Sequence, residues 1–223
     1  YYNNSGLLLD NASSSTQYCE ATDVTHLDYS IGANAVPFSI SAWIRSTASS
    51  PQAHEAIVTK MDATGKGYSV HLENGYLKFV IGDGTNESFR TSSSVLTTGI
   101  WHHVVMSWYG STGNAPDMFI DGQQDSNGAY QQNVNGDWSN TAMFNIGRNE
   151  GLYPNSNFFT GNIDSVSVWK MQLYSQHVTD IYTNTNGPTT GIGYTDDLRR
   201  NYNYLVQMLP NLDAWYRFGD ESV

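Results

Sequence analysis

Cysteine is almost absent: Cys19 is the only one in 223 residues, which excludes an internal disulfide framework and any metal site built on paired thiolates. Standing alone, it reads as a small buried side chain. Basic residues are also few. Ten Lys and Arg face 21 Asp and Glu, a formal charge of −11, so a phosphate-tracking surface is excluded and no nucleic-acid partner is expected. No apolar run approaches the roughly 20 residues that cross a bilayer as a helix, so no membrane insertion is expected. The opening Tyr1-Tyr2-Asn3-Asn4 has neither the basic end nor the apolar centre of a signal peptide, and no initiator Met precedes it. The sequence reads as a processed chain or a piece of a longer one.

What is present suits strands and turns. Ser, Thr and Asn account for 64 residues and Gly for 20 more, types that favour strands, turns and loops over helix interiors. Six Trp, 15 Tyr and eight Phe supply enough apolar area for a folded core, so intrinsic disorder is not expected.

Phe38-Ser39-Ile40-Ser41-Ala42-Trp43-Ile44-Arg45 alternates, with Phe38, Ile40, Ala42 and Ile44 on a core face. Between Tyr68 and Ile81, Asn74-Gly75 demands a two-residue turn with positive φ at both positions. Pairing outward sets Leu72 against Leu77, Val70 against Phe79 and Tyr68 against Ile81, with His71 opposite Lys78 on the other face. Further strands are expected at 7–9, 57–59, 101–109, 118–122 (turning through Asp121-Gly122), 144–147 and 163–169. About ten short strands separated by Gly, Asn and Ser turns predict an all-β protein, a two-sheet antiparallel sandwich or jelly roll.

Helix is expected only late and in short pieces. Ser175 starts one, with Val178, Ile181 and Tyr182 facing the body. Thr195 caps a second, in which Leu198, Tyr202, Leu205, Val206 and Leu209 recur at helical spacing before Pro210. A Thr-, Asn-, Gly- and Pro-containing linker separates them. The closing run Leu212 to Asp220 is strand-like.

The succession Leu7-Leu8-Leu9-Asp10, Phe38 to Ile44, Ile57-Val58-Thr59-Lys60, Gly67-Tyr68, Trp101-His102-His103-Val104, Ile120-Asp121-Gly122, Ile146-Gly147, Gly161 to Trp169 and Ile181-Tyr182 resembles the laminin G-like jelly roll of the concanavalin A-like lectin/glucanase superfamily. This resemblance implies a jelly-roll domain over 1–185, followed over 186–223 by a linker, a helix and a strand-like extension. Asn211 to Asp220 resembles a segment that follows such domains in bacteriophage virion proteins, and reads equally as the first strand of another copy of the domain. The fold implies no single activity, since lectins, adhesion modules and glycosidases share it.

Candidate sites follow residue by residue. The Glu-x-Asp-x-x-Glu strand pattern of related glucanases is missing, and the six Glu are scattered, so no catalytic residues are assigned and the chain is read as not an enzyme. His102 and His103 are consecutive on a strand and point to opposite faces, one expected in the core and the other in solvent; His26, His54, His71 and His177 read as isolated. Alternation places Asp164 on the same face as Val166 and Val168, where a carboxylate needs a partner or an ion. The resemblance implies a structural calcium held there with Asp10 on the first strand; backbone N–H donors to Asp164 are the alternative. Between 131 and 159, Trp138, Tyr153, Phe158 and Phe159 lie among amide and carboxylate side chains; Trp138, Tyr153, Phe158 and Asn155 are the candidate glycan-binding residues, and packing of these aromatics against partner subunits is the alternative.

The expected function is a noncatalytic surface module of a virion structural protein, in a capsid decoration or tail fibre, attaching to glycan or host surface. Its expected location is the virion surface or extracellular space, with virion proteins and surface glycans as partners. A purely structural assembly domain, in contact with virion proteins or with a second copy of the chain as a homo-oligomer, is the alternative; the apolar stripe of the last helix is expected to be covered by the jelly roll or by a neighbouring chain. A glycoside hydrolase stands behind both.

Overall fold

The computed structural model describes residues 7–10, 17–22, 25–31, 34–49, 53–111, 114–149, 151, 158–185 and 205–218. In chain order the strands are β1 (Leu7–Leu9), β2 (Cys19–Ala21), β3 (Ser30–Ile31), β4 (Asn34–Ala35), β5 (Phe38–Ser46), β6 (Glu55–Met61), β7 (Lys66–Glu73) and β8 (Tyr76–Asp83). They continue with β9 (Glu87–Val95), β10 (His102–Trp108), β11 (Asp117–Ile120), β12 (Gln123–Gln124), β13 (Tyr130–Gln132), β14 (Phe144–Ile146) and β15 (Gly161–Trp169). Helix α1 (Ser175–Thr185), a single turn α2 (Leu205–Met208) and β16 (Leu212–Tyr216) follow. Sheet I has the order β1-β15-β5-β10-β11-β12, with β16 also on β15, and sheet II the order β13-β9-β8-β7-β6-β14-β2. Each contains seven strands, and β3 and β4 form a separate ribbon. The architecture is the expected antiparallel jelly-roll sandwich.

Turn chemistry sets the register of sheet II. Asn74 and Gly75 take φ of 52° and 83°, the positive pair that matches hairpin twist. Leu72 then faces Leu77, Val70 faces Phe79, Tyr68 faces Ile81 and His71 faces Lys78, as the sequence predicts. Phe79 is buried and Lys78 half-buried. Asp121 and Gly122 repeat the geometry with φ of 51° and 79°.

The inner faces meet around Phe38. Its ring stacks on Tyr29 at 4.6 Å between centroids and lies 5.0 Å from Tyr68, 5.6 Å from Trp138 and 6.1 Å from Trp108. Each such side chain contributes roughly 1.5–3 kcal/mol by leaving water, so this aromatic hub is the main anchor between the sheets. One cation enters the interior: Lys60 is fully buried, and its Nζ lies 2.9 Å from Asp28 Oδ1 and donates to the Asn140 carbonyl. Burial of that charge is tolerable because it is paired and hydrogen-bonded.

The outer face of sheet I lies beneath α1. Val178 and Ile181 pack with Val105, Phe119, Trp169 and Leu173, and Met208 joins them. Polar residues on this face are dry. The Leu173 N–H donates to both Ser39 Oγ and Ser107 Oγ, while Ser39 Oγ donates to the Met171 carbonyl. The serines therefore tie down the loop that delivers α1. His103 also sits here, 2.8 Å from Ser41 Oγ through Nε2 and 5.1 Å from the Trp43 ring. His103 is fully enclosed, whereas His102 keeps 11% of its side chain exposed beside Asp121, which accepts from the His103 backbone N–H and lies 2.8 Å from His102 Nδ1. Burial pushes the His103 pKa down to about 3, whereas the Asp121 hydrogen bond raises that of His102.

Two further expectations change. Cys19 is half-buried rather than enclosed, at the edge strand β2. The closing run, expected outside the main body, supplies β16, and its Ala214 and Tyr216 pack against the central core. Of the second helix only the last turn falls among the described residues; Leu198 and Tyr202 lie outside them, and Pro210 sits within a 3-10 turn over Leu209–Asn211. Among the described residues, no helix is long and apolar enough to cross a membrane.

Candidate functional site

Trp138 is not a surface platform. It is 1% exposed and its ring lies against Phe38, Tyr68 and Trp108. Polar groups around the loop anchor its backbone while the indole turns inward. Asp83 accepts from the N–H groups of Asn135 and Gly136, and Ser30 Oγ donates to Asp137 while accepting from the Trp138 N–H. Burial raises the Asp83 pKa, but four backbone donors outweigh it and bring the value to about 2. Tyr153 and Asn155 lie outside the described residues. Phe158 is half-buried, while the adjacent Phe159 belongs to the core.

Asp10 and Asp164 do not come together. Leu9 pairs with Gly161 and Leu7 with Ile163, which sets Asp10 beyond one end of this ladder and Asp164 beyond the other. Four strand steps, roughly 13 Å, are too far for one ion with calcium–oxygen bonds of about 2.3–2.6 Å. The face assignment of Asp164 also changes. The β15 register against β5 slips between Asp164 and Ser167, and Ser165 takes φ of 48°, the geometry of a bulge with one extra residue. Ile163 therefore joins Val166 and Val168 in the core, and Asp164, opposite Trp43, belongs to the other face. Its Oδ1 accepts the N–H groups of Ser165 and Phe218, the backbone role that the sequence left as the alternative.

The chemistry-bearing side chains gather instead on the outer face of sheet II. Ser69, His71 and Glu73 alternate with the inward Val70 and Leu72 along β7. Asn145, Thr59 and Ser69 form a row across β14, β6 and β7. All three are buried. At one end of the face, beside β2, the Tyr18 ring lies 6.1 Å from Phe158, the Arg148 guanidinium stands 4.3 Å above Tyr18, and Arg148 pairs with Glu20 at 3.4 Å. These are half-buried or exposed side chains held in place by one another. At the other end, Lys78 Nζ pairs with Glu73 Oε2 at 2.9 Å, Glu73 Oε1 lies 4.0 Å from His54 Nδ1, and the His54 and His71 rings are 5.6 Å apart. In the sequence those histidines stand isolated. The i, i+2 relation of His71 and Glu73 was legible, but His54 joins them only through the cross-strand pairing of Glu55 with Leu72.

Glu20 is in register with Asn145, Thr59 and Ser69, so Glu73 lies three strands across and four residues along from it, roughly 19 Å, beyond the 5–9.5 Å or so over which two carboxylates share a glycosidic bond. Each is committed to a cation.

Residues 13–179 match the family model described as the concanavalin A-like lectin/glucanases superfamily. The chain belongs to that superfamily. None of the curated proteins compared with this laminin G-like chain matches it. Among solved structures, a Bacteroides ovatus protein provisionally described as carbohydrate-binding is similar to it, with a TM-score of 0.56, 16% identity and 90% of this chain covered. The chain spans 48% of that protein's length. A native heptameric SAP-like pentraxin from Limulus polyphemus has a TM-score of 0.53 and 13% identity over 97% of this chain and 91% of its own. The CBM40 of a Ruminococcus gnavus IT-sialidase, solved with α2,3-sialyllactose, has a TM-score of 0.52 and 9% identity over 74% of this chain and 96% of its own. At these identities the likeness is one of fold.

Proposed function

We propose that this chain is a noncatalytic glycan-binding module, carried at the surface of a virion by a capsid decoration or tail-fibre protein. The observation that carries the reading is the Tyr18, Phe158, Arg148 and Glu20 group. Two rings offer an apolar surface to the C–H face of a sugar, and a guanidinium and a carboxylate beside them can bond its hydroxyls. The group is pre-positioned by its own ion pair and cation–π contact, which reduces the ordering cost of binding. The descriptions of two similar structures as carbohydrate-binding support this reading, and the virion setting rests on the resemblance of the closing residues 211–220.

The test is titration of the purified chain against a panel of glycans. Tyr18→Ala and Phe158→Ala should each weaken binding about tenfold, the size of one aromatic contact, without lowering the melting temperature substantially. Binding to no glycan, or unchanged binding by both variants, overturns the glycan reading. Reducing ends released from a polysaccharide and abolished by Glu20→Gln or Glu73→Gln overturn the noncatalytic part. Immunogold labelling that leaves intact particles bare overturns the virion location.

A further inference from the structure

His54, His71 and Glu73 each offer one ligand atom, and these atoms lie within 4.8 Å of one another. The group is built by strand pairing. His71 and Glu73 are two residues apart on one face of β7, and Glu55 opposite Leu72 brings the preceding His54 opposite Glu73. His71 is only 4% exposed. Ser69 Oγ engages its Nδ1 at 2.9 Å, and its Nε2 has no hydrogen-bond partner. A buried ring nitrogen left in this state is costly, and a bond to a metal would use its lone pair. The hydroxyl on the other nitrogen plays the part that second-layer partners play for metal-bound imidazoles, fixing ring orientation.

We propose that His54, His71 and Glu73 form a transition-metal site suited to Zn2+, with the fourth position left to water. Two imidazoles and one carboxylate are a donor set for zinc, whereas calcium and magnesium take oxygen donors. Ligand atoms of a tetrahedral zinc with bonds of about 2.0–2.1 Å lie roughly 3.3 Å apart, so small side-chain rotations close the group. Lys78 holds Glu73 Oε2 and leaves Oε1, the oxygen nearer His54, for the ion. Its charge opposes the metal, and its Nζ lies 4.9 Å from the Phe89 ring, an alternative resting place. The site is independent of the glycan reading, whose patch lies at the other end of the sheet.

The experiment is competition for Zn2+ between the full chain and a chromogenic chelator, together with the visible spectrum of the Co2+ form. The expected result is one equivalent bound, a four-coordinate Co2+ spectrum, and no displacement by excess Ca2+. His54→Ala should weaken binding at least tenfold, since even loss of a partner behind a metal ligand costs about 10–100-fold. His54 is half-buried, so this variant tests the site where replacement of the enclosed His71 risks the fold. Lys78→Met should tighten binding. Equal affinity in the parent and His54→Ala, or weaker binding by a folded Lys78→Met, overturns the proposal. Glycan titration in chelator is read separately, so failure of one reading is distinguishable from failure of the other.

Discussion

The two sheets treat their outer faces in opposite ways. Sheet I is sealed by α1, and the polar atoms beneath it bind backbone groups of the loop that delivers the helix. Among the described residues no helix lies on sheet II. Its outer face carries Glu20, Arg148, His54, Glu73 and Lys78 at its two ends, with Thr59, Ser69 and Asn145 between them. An alternating strand pattern therefore has two meanings: its second face is a platform for another element in one sheet and a surface of charged, imidazole and hydroxyl side chains in the other.

The largest effect should separate the faces by stability. Trp169, fully buried beneath α1, should cost about 3–5 kcal/mol as Trp169→Ala. Phe89, half-buried on the outer face of sheet II, should cost about 1 kcal/mol or less as Phe89→Ala. Urea unfolding of both variants measures the contrast, and equal losses would break it. Next comes acid sensitivity of the sealed face. Native His103 titrates near 3 because burial opposes its charge, whereas unfolded histidine titrates near 6.5. Between those values the unfolded chain binds the additional proton, so stability falls as pH drops below about 6.5, by about 1.4 kcal/mol per unit from this residue. His103→Gln should flatten that slope by one proton. An unchanged slope would show that water reaches the ring beneath α1. The smallest effect concerns the bulge that turns Asp164 outward. Ser165→Gly relieves a left-handed backbone and should stabilise the protein by about 0.5 kcal/mol, the strain released being partly offset by glycine's entropy. A destabilised variant would mean that the serine side chain, rather than the backbone, holds the bulge.

The sandwich was legible because local rules agreed. Asn74-Gly75 and the apolar alternation around it specify the same register independently, and Phe38 to Ile44 shows its inward face directly. The sites were less legible because they depend on features without a local signature. An extra residue at Ser165 exchanges the faces of everything before it, so strict alternation put Asp164 on the wrong side. The polar residues around Trp138 cap backbone groups, and composition alone does not distinguish a loop's anchors from its ligands. His54 and Glu73 meet only after β6 pairs with β7, although they are nineteen positions apart in the chain.

The edge of β15 has a consequence for how the chain connects to anything beyond it. β1 and β16 both run antiparallel to β15 and occupy successive stretches of the same edge: Leu7 faces Ile163, and the Phe218 N–H reaches the Asp164 carboxylate. The chain thus enters and leaves the sandwich at nearly one point. A longer polypeptide can accept the whole unit within a single surface loop, its own two flanking segments remaining side by side and its own folding undisturbed.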